Sequence, residues 1–535
     1  MKSKLFLQPS KTKSGLAEFR GGILEGLLNI STVHGLNRVF SKSSHVIERL
    51  LFIIGFVTAC LVFADVTREI GFINKHYPLK TVIADLHYPV FKIPFPEIII
   101  CNKNRLNWQR YNEAKQKFLQ QRHWTPKHEQ LFIDTLNAYD TLSFGKFDNF
   151  GNISNLYPPI LLNELNYLNF SVVVKFMAWQ CQEIFSECFW LNRPYDCCDI
   201  FSLRKSSKGF CLAFNSMETE EGKRRGKNDP YYPWRSWGRG SRHGLKLRIF
   251  PRIHQHSPGS VETKGIMMML VEPYVWSYIG NEIGVNTRAM VSISAFLHYF
   301  DSTTRRFPSH IRKCVFEDEL ESMFYKSLIN HRYMFENCQA ECQQEYLLKF
   351  CNCTVDIFFP PDKYRACRLS DLPCLYKHND FLQVFEQLGE HEYVTQHVKG
   401  MACPCFYNCK SLSYFTDIRQ ENLGNKAELE ANETEIRLEV YFLWETIKLY
   451  ETTAVYTLID LMASLGGLAS LCIGCSLVGV MELLYFLFLN VPKRIVLCSI
   501  AARRVKSIPK KMVKTKKVLF HKITPAMPLN KRRSA

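Results

Sequence analysis

Most of the cysteines in the chain lie in one interval, and the two most apolar stretches flank that interval. Sixteen of the twenty cysteines fall between Cys101 and Cys409, whereas the apolar stretches are residues 50–64 and 461–489. Disulfide bonds persist in oxidising compartments, so a segment this rich in cysteine is predicted to be extracellular or lumenal. Two membrane crossings that flank such a segment put both chain ends in the cytosol. This arrangement favours a channel, a receptor or an adhesion protein over most enzymes.

The net charge of +18 is concentrated at the two ends of the chain. Residues 1–49 carry a charge of +5 and residues 491–535 carry +14, so the long interval between them is nearly neutral. Positive flanks beside apolar stretches are typical of the cytosolic ends of membrane proteins. The basic run 503–517 is also suited to contact with anionic lipid of the inner leaflet. The charge therefore predicts membrane topology rather than nucleic-acid binding.

The first apolar stretch is predicted to be an uncleaved membrane anchor. Residues 50–64 are uncharged, and neighbouring apolar residues on both sides extend the stretch to membrane length. A cleaved secretory signal would begin close to Met1, which lies far from this stretch.

The second apolar stretch has three features that a plain lipid-facing anchor lacks. These are the pair Gly466-Gly467, the triplet Gly474-Cys475-Ser476 and the acid Glu482. Small residues allow helices to approach closely, and an ionisable group at membrane depth is a candidate for function. From this stretch alone, a pore and simple helix packing are equally good interpretations.

The cysteines of the middle segment form two even groups, which is consistent with complete pairing but leaves the connectivity open. The first group is Cys101, Cys181, Cys188, Cys197, Cys198 and Cys211, and the second is Cys314, Cys338, Cys342, Cys351, Cys353, Cys367, Cys374, Cys403, Cys405 and Cys409. Zinc is the rival interpretation for the two Cys-x-Cys pairs. We discount it, because zinc sites prefer two to four intervening residues.

Local composition makes two further predictions. Residues 317–346 are rich in helix formers, which predicts a helix with Cys338 and Cys342 on one face, where both could be bonded to the segment 403–405. Residues 220–243 combine basic and aromatic side chains and are predicted to be a basic loop or insertion.

Five short motifs follow one another along the chain. They are His34-Gly35, Phe95-Pro96-Glu97 through Cys101-Asn102, Gly209-Phe210-Cys211 through Phe214-Asn215, the cysteine series Cys338 to Cys353 with Cys403 to Cys409, and Gly474-Cys475-Ser476 followed by Glu482. Each motif alone is weak evidence. In this order and with this topology, they resemble the degenerin/epithelial sodium channel family, also called amiloride-sensitive sodium channels, and its insect pickpocket branch in particular.

The resemblance implies a membrane protein of mixed α and β structure. Two transmembrane helices per subunit would flank a large disulfide-rich ectodomain with a β-sheet palm and a helical thumb, and three subunits would form a channel. The implied layout is a cytosolic N-terminus at 1–46, transmembrane helix 1 at 47–67, the extracellular domain at 68–456 with the thumb at about 314–409, transmembrane helix 2 at 457–489 and a basic cytosolic C-terminus at 490–535.

The resemblance also implies roles for particular residues. The selectivity filter would be Gly474, Cys475 and Ser476; the pore-lining and gating residues would be Ala463, Ser464, Gly466, Gly467, Ser470 and Glu482; and the cytosolic gating motif would be His34 and Gly35. Ser464 departs from the pattern, because some members carry Asp there. Ser470 corresponds to a position linked to amiloride block in epithelial relatives.

The disulfide pairing implied by the resemblance is Cys101–Cys211, Cys314–Cys409, Cys338–Cys405, Cys342–Cys403, Cys351–Cys374 and Cys353–Cys367. It leaves Cys181, Cys188, Cys197 and Cys198 unassigned, although the adjacent pair is not expected to bond to itself. Glycosylation sequons at Asn152, Asn169, Asn352 and Asn432 fall in the predicted ectodomain. Asn29 should carry no glycan if the N-terminus is cytosolic.

The function implied by the resemblance is a voltage-independent, sodium-selective channel subunit of the plasma membrane, opened by an unknown chemical or mechanical stimulus from outside. It needs no cofactor beyond the permeant Na⁺, and its partners would be related subunits, in a homo- or heterotrimer, and membrane lipid. The main alternative is a non-conducting accessory or receptor subunit with the same fold. A two-pass ATP-gated channel and an enzyme are weaker alternatives; the one candidate catalytic cluster, residues 390–392, is interpreted as a solvated helix end.

Overall fold

The computed structural model describes residues 35–40, 45–119, 124–258, 264–276, 280–360, 364–386, 399–423, 434–493, 495–496 and 500. The chain divides into two compact units. Residues 79–454 form one unit, and the segments on either side of it, residues 1–78 and 455–535, form the other.

The described helices and strands are as follows. The helices are α1 (Leu36–Phe40), α2 (Val46–His76), α3 (Tyr111–Phe118), α4 (Pro126–Asp140), α5 (Asp148–Leu156), α6 (Pro159–Glu164), α7 (Phe170–Met177), α8 (Cys181–Ile184), α9 (Cys197–Ile200), α10 (Glu220–Asn228), α11 (Ser309–Arg312), α12 (Phe335–Cys351), α13 (Leu372–Lys377), α14 (Asn379–Leu382), α15 (Leu458–Ile473) and α16 (Leu477–Tyr485). The strands are β1 (Leu79–Pro89), β2 (Glu97–Asn102), β3 (Phe185–Trp190), β4 (Arg193–Tyr195), β5 (Phe201–Ser206), β6 (Gly209–Phe214), β7 (Leu245–Ile249), β8 (Ile266–Val271), β9 (Asn281–Ile283), β10 (Thr287–Phe300), β11 (Cys314–Val315), β12 (Tyr407–Asn408), β13 (Lys410–Asn422), β14 (Ile436–Phe442) and β15 (Thr446–Ala454).

The first apolar stretch forms a single long helix. Helix α2 has 31 residues, which gives a length of roughly 46 Å, enough to cross the hydrocarbon core of a bilayer. Glu48 lies in its first turn, and Lys75 and His76 lie in its last, as the helix dipole favours. By length and composition, α2 is the one described helix that can cross a membrane unaided.

The second apolar stretch, predicted as transmembrane helix 2 over 457–489, consists of two described helices. Helices α15 and α16 meet at an angle of 72°, and together they are long and apolar enough for one further crossing. A π-helical turn, Phe486–Asn490, continues α16. Hydropathy alone does not reveal this break, because it does not depend on the backbone conformation at a glycine.

The larger sheet of the unit 79–454 is built around β10. The order β1-β15-β10-β14-β7-β3-β4 runs across the sheet, and β13 pairs with the opposite edge of β10. Alternate residues of β10 point into the core, among them Ala289, Val291 and Ile293, which are at most 1% exposed. This period of two is the pattern of a strand with one buried face.

The smaller sheet has the order β5-β6-β2-β8-β9. Its central strand β2 is buried on both faces, because the run Ile98-Ile99-Ile100 has no polar side to present to water. A disulfide between Cys101 and Cys211 joins β2 to β6.

Helices α3 to α7 pack with α12 and α13 around a second apolar core. Phe132 and Phe150 of the first group, and Phe147 directly before α5, are buried together with Leu347 of α12 and Leu372 of α13. This core is separate from the one formed by the two sheets.

The predicted helix over 317–346 begins much later and ends later. Helix α12 runs over Phe335–Cys351, whereas the segment before it forms turns. Tyr333 is fully buried there, and its hydroxyl donates to the carbonyl of Phe406 at 2.6 Å. Such tertiary anchors override intrinsic helix propensity, which contributes only tenths of a kcal/mol per residue, about 0.7 at most for ordinary residues.

The interpretation of residues 220–243 as a loop or insertion is wrong in part. They contain α10, and Trp234 packs against the sheet core, with its ring stacked on Trp190 at a centroid distance of 6.2 Å. The backbone of Trp234 also bonds to Asn215 and to Phe95. The tryptophan therefore ties this segment to the strands.

Candidate ion pathway

Gly35 of the predicted cytosolic motif is described, whereas His34 lies outside the described residues. Gly35 has a φ of 78°, which L side chains rarely adopt. A Cβ built on it would lie 3.1 Å from Cδ1 of Phe52 on α2. The absence of a side chain therefore allows the backbone of this motif to lie against α2.

Helix α15 begins with a reciprocal pair of hydrogen bonds. The Thr457 hydroxyl accepts the Asp460 N–H at 3.1 Å, and the Asp460 carboxylate accepts the Thr457 N–H at 3.0 Å. This capping box satisfies two backbone donors that a helix start leaves free. It fixes where the second apolar stretch becomes helical.

One face of α15 consists of small residues. Ala463, Gly466, Gly467 and Ser470 follow each other at helical spacing, and Gly474 ends the helix on the same face. A Cβ built on either glycine of the pair would meet nothing within 4 Å. This face is open to close approach by another helix. Ser464 lies beside it rather than on it.

The predicted filter triplet is the break between α15 and α16. Gly474 ends α15 with a φ of 76°, and its N–H donates to the Ser470 carbonyl at 3.0 Å. Ser476 begins α16, and its hydroxyl accepts the Gly479 N–H at 3.0 Å. A left-handed backbone conformation, which glycine adopts without strain, thus turns the chain at the triplet.

The break presents groups that suit a cation. The last carbonyls of a helix have no partner within the helix, and they carry the negative end of the helix dipole. The free carbonyls and the negative end of the dipole are both located at the C-terminal end of α15. The Ser476 oxygen already accepts one hydrogen bond, so backbone carbonyls are the better candidates to replace a hydration shell at this point.

The region 457–490 contains two acidic residues and no basic one. They are Asp460 in the first turn of α15 and Glu482 on α16, where Glu482 is exposed on the single chain. A span with this charge pattern disfavours anions. Cys472 and Cys475, next to and within the triplet, are free thiols.

The described residues of the unit 79–454 contain eight disulfides, and six of them are the pairs that the family resemblance implies. These are Cys101–Cys211, Cys314–Cys409, Cys338–Cys405, Cys342–Cys403, Cys351–Cys374 and Cys353–Cys367. Four of the six bonds involve a cysteine in or directly after α12, so this helix is fixed along its length. The zinc alternative is excluded for both Cys-x-Cys pairs, because all four thiols are bonded.

The other two disulfides are pairs that sequence reasoning left unassigned. Cys181 bonds to Cys198 and Cys188 bonds to Cys197. The two adjacent cysteines therefore bond to different partners, as expected. The spacing alone could not distinguish between the two crosswise arrangements, which depend on how β3 and the short helices α8 and α9 pack.

A buried polar cluster that sequence reasoning missed lies where the segment before α12 meets the strands. Glu97 is fully buried, and Arg204 donates to it and to the Val275 carbonyl. Burial raises the pKa of Glu97 to about 7, although Arg204 opposes the shift. The nearby His331 pairs with Glu218 at 2.6 Å, and both are buried. An acid inside the apolar run 95–100 was the available signal.

Two further carboxyls are held in largely buried positions. Burial raises the pKa of Glu272 to about 8, and the neighbouring Glu336 raises it further. Burial also raises the pKa of Glu336 itself. No sequence pattern singled out either residue, because they come together only when β8 and α12 pack.

Three of the four predicted glycosylation sites are described, and all three are exposed. Asn152 is on α5, Asn169 caps α7, and Asn352 lies between two bonded cysteines with a φ of 51°. Asn432 and Asn29 lie outside the described residues, as do the basic tail 503–517 and the cluster 390–392.

Comparison with known proteins identifies the family. The family described as amiloride-sensitive sodium channel matches residues 27–486, which is most of the chain. The chain belongs to the amiloride-sensitive sodium channel family. It is 28% identical over 467 residues to pickpocket protein 19 of Drosophila melanogaster, covering 85% of this chain and 88% of that protein.

More distant relatives have similar coverage. The chain is 23% identical to sodium channel protein Nach of Drosophila ananassae, covering 87% of this chain and 86% of that protein. It is 21% identical to acid-sensing ion channel 1A of Danio rerio, covering 89% and 90%. The resemblance predicted from five motifs is therefore confirmed.

Membership of the amiloride-sensitive sodium channel family decides between the alternatives raised by the sequence. Members of the family are ion channels, so the chain is not an enzyme, and the ATP-gated alternative is wrong. The two apolar segments and the disulfide-rich region between them agree with the family architecture.

Proposed function

We propose that the chain is a pore-forming subunit of a voltage-independent, sodium-selective channel of the plasma membrane, with three subunits around one axis. The observation that carries the proposal is the break between α15 and α16 at Gly474, which presents helix-end carbonyls within an apolar, anion-excluding stretch. Glu482 follows the break and would hold cations on its cytosolic side.

In this proposal the small-residue face of α15 permits three copies to approach the axis. The triplets 474–476 then form a ring of carbonyls that replaces part of the hydration shell of Na⁺. The membrane potential supplies about 2.3 kcal/mol per charge for every 100 mV, so inward flow needs no coupling to another energy source. Opening is the step that has to be controlled.

The proposed layout is unchanged from the sequence prediction. Residues 1–46 and 490–535 are cytosolic, residues 47–67 and 457–489 cross the membrane, and residues 68–456 are extracellular. Within the last range, the disulfide-fixed α12 is a stiff element that can carry an extracellular stimulus. Gly35, with His34 before it, provides a cytosolic contact with α2.

The test is two-electrode recording from oocytes that express Ala463→Phe beside the wild type. A bulky side chain on the small-residue face should hold the three helices apart and give a constitutive inward current that follows external sodium. Leu465→Phe is the control, because Leu465 lies on the same helix, about 160° around from Ala463. It should leave the current at the wild-type level.

Silence from Ala463→Phe at the cell surface, alone and with related subunits, would contradict the proposed pore and favour a non-conducting subunit. Current that appears only on co-expression would make the chain an obligate partner in a heterotrimer. Reversal potentials in sodium and potassium solutions then measure the selectivity of whichever assembly conducts.

A further inference from the structure

A cavity of about 740 Å³ lies within the unit 79–454. One wall of it is a single face of α12, which contributes Phe335, Glu336, Gln339 and Gln343. Cys342, on another face of the same helix, is bonded to Cys403. The volume is within the range of small-molecule binding sites, roughly 300–1,000 Å³. Helix α12 is therefore braced on one side and exposed to the cavity on the other.

Among the described residues, the α12 wall contains one buried acceptor without a donor and one carboxyl group without an ion pair. Gln343 is only 4% exposed, and its Oε1 has no hydrogen-bond partner in the described part of the chain. An unsatisfied buried acceptor of this kind costs about 1–3 kcal/mol. Glu336 forms no ion pair with any described residue, and burial raises the pKa of its carboxyl. A cationic ligand group that donates hydrogen bonds would therefore complement this wall.

Another part of the lining offers the opposite charge. Lys208 lines the cavity, and its Nζ donates to the Ser143 hydroxyl at 2.9 Å. It forms no ion pair within the described residues. Burial lowers the pKa of Lys208, and the nearby Arg105 and Lys146 add to the effect. An anionic group in the cavity would compensate the partly buried positive charge of Lys208.

The remaining lining is largely apolar. Phe144, Leu382 and Phe385 contribute rings and aliphatic groups, together with residues of β8 and β13. A ligand that fills this space needs an apolar body in addition to its two charged groups.

We propose that this cavity binds a small zwitterion with an apolar body, between an aromatic amino acid and a dipeptide in size. Its ammonium group is held by the Glu336 carboxylate and, once the Gln343 side chain turns toward the cavity, by Gln343 Oε1, and its carboxylate is held by Lys208. The bound ligand spans from α12 to the strands of the two sheets. Any effect of the bound ligand on channel opening rests on the proposed function, whereas binding of the ligand does not.

The test measures binding to the purified full-length protein in detergent, by calorimetry and by the shift of the unfolding temperature. The probes are L-phenylalanine and L-phenylalanyl-L-phenylalanine, at concentrations up to the millimolar range. Phenethylamine and 3-phenylpropanoate each lack one charged end of the amino acid. We expect at least one zwitterion to bind and each truncated probe to bind about tenfold more weakly or less, which corresponds to about 1.4 kcal/mol.

Three variants and one control locate the site. Glu336→Gln, Gln343→Leu and Lys208→Met should each weaken zwitterion binding by about tenfold or more. Glu345→Gln changes a carboxyl on the same helix that pairs with Lys326 away from the cavity, and it should bind as the wild type does.

Three results would overturn the proposal: no zwitterion binding to the wild type, equal binding of phenethylamine, or binding that the three cavity variants leave intact while they fold normally. Because none of these measurements requires current, failure of the ligand site and failure of the pore are separate results. If the ligand binds but currents do not change, the binding site is supported and a role of that site in channel opening is contradicted.

Discussion

At the scale of single residues, burial and conformation rather than residue type decide which side chains matter. Glu97 is an ordinary acid in the sequence, yet it is fully buried opposite Arg204. Gly474 is one glycine among 26, yet its left-handed φ ends a helix inside an apolar stretch. The positions with the strongest chemical consequences are thus those where the local environment constrains a common residue.

The Glu97–Arg204 pair leads to a prediction about stability. Arg204→Met should lower the free energy of unfolding by about 3–5 kcal/mol, because it leaves a buried carboxylate without its cation. The double variant Glu97→Met with Arg204→Met should recover most of the loss. Unfolding of the purified protein by heat and denaturant measures both effects.

The pH dependence of the Arg204→Met variant has a defined sign. Loss of the cation raises the pKa of Glu97 above the value of about 7 that it has with Arg204 present. Below about pH 7 the folded wild type and the folded variant both hold this proton, so the pH-dependent part of the stability deficit should appear above about pH 7 and grow until the pH reaches the higher pKa of the variant. Arg305→Met breaks a solvent-exposed pair with Asp318 at 2.9 Å, and it should cost much less stability than Arg204→Met. An equal loss in both variants would contradict the buried-pair account.

At the scale of elements, α12 and the α15–α16 pair show two ways to fix a helix. Helix α12 has little apolar periodicity and is held by cross-links to a short segment. The α15–α16 pair has no cross-link, and it is defined by caps at Thr457 and Ser476 and by the turn at Gly474. The cross-linked α12 resists deformation, whereas the geometry of the α15–α16 pair depends on the φ angle of one residue, Gly474.

The nested disulfides of α12 predict a loss of stability that is not additive. With Cys338–Cys405 intact, Cys342–Cys403 closes only a small additional ring, so the double substitution Cys342→Ser with Cys403→Ser should cost roughly 2–3 kcal/mol. Removal of the Cys338–Cys405 bond as well opens a much larger ring and should cost a further 3–4 kcal/mol, roughly. Chemical unfolding of the three proteins checks the order. Equal increments would show that chain entropy is not the main contribution.

At the scale of the whole molecule, charge, apolar stretches and cysteines agree on one topology. The cysteine-rich interval is paired in eight disulfides, as an oxidising compartment requires. The positive charge lies outside that interval, at both chain ends. Family membership over residues 27–486 links this topology to ion conduction.

Glycan mapping tests this topology directly. Asn152→Gln and Asn169→Gln should each remove one glycan, because both side chains are exposed on the domain that is proposed to be extracellular. Asn352→Gln should leave the glycan count unchanged, since two bonded cysteines restrict access to Asn352. Gel mobility before and after enzymatic deglycosylation gives the count. A glycan on Asn29 would contradict a cytosolic N-terminus.

The sequence by itself determined the features that depend on composition, order and spacing. These include the oxidised middle segment, the membrane stretch at α2 and the family, because hydropathy, charge and motif order are properties of the linear chain. Six disulfide pairs also followed from motifs shared with the family, and the glycine at the break was recognised as a candidate in the same way.

Only the tertiary structure decided the features that depend on which distant segments pack together. The late start of α12, the packing of Trp234 and the pairing of Cys181 with Cys198 result from contacts between segments that the chain order does not specify. The same holds for the burial of Glu97 beside Arg204 and for the cavity beside α12. The physical reason is common to all of them: desolvation, steric fit and disulfide geometry are properties of neighbours in space, and long-range neighbours are set by the whole fold.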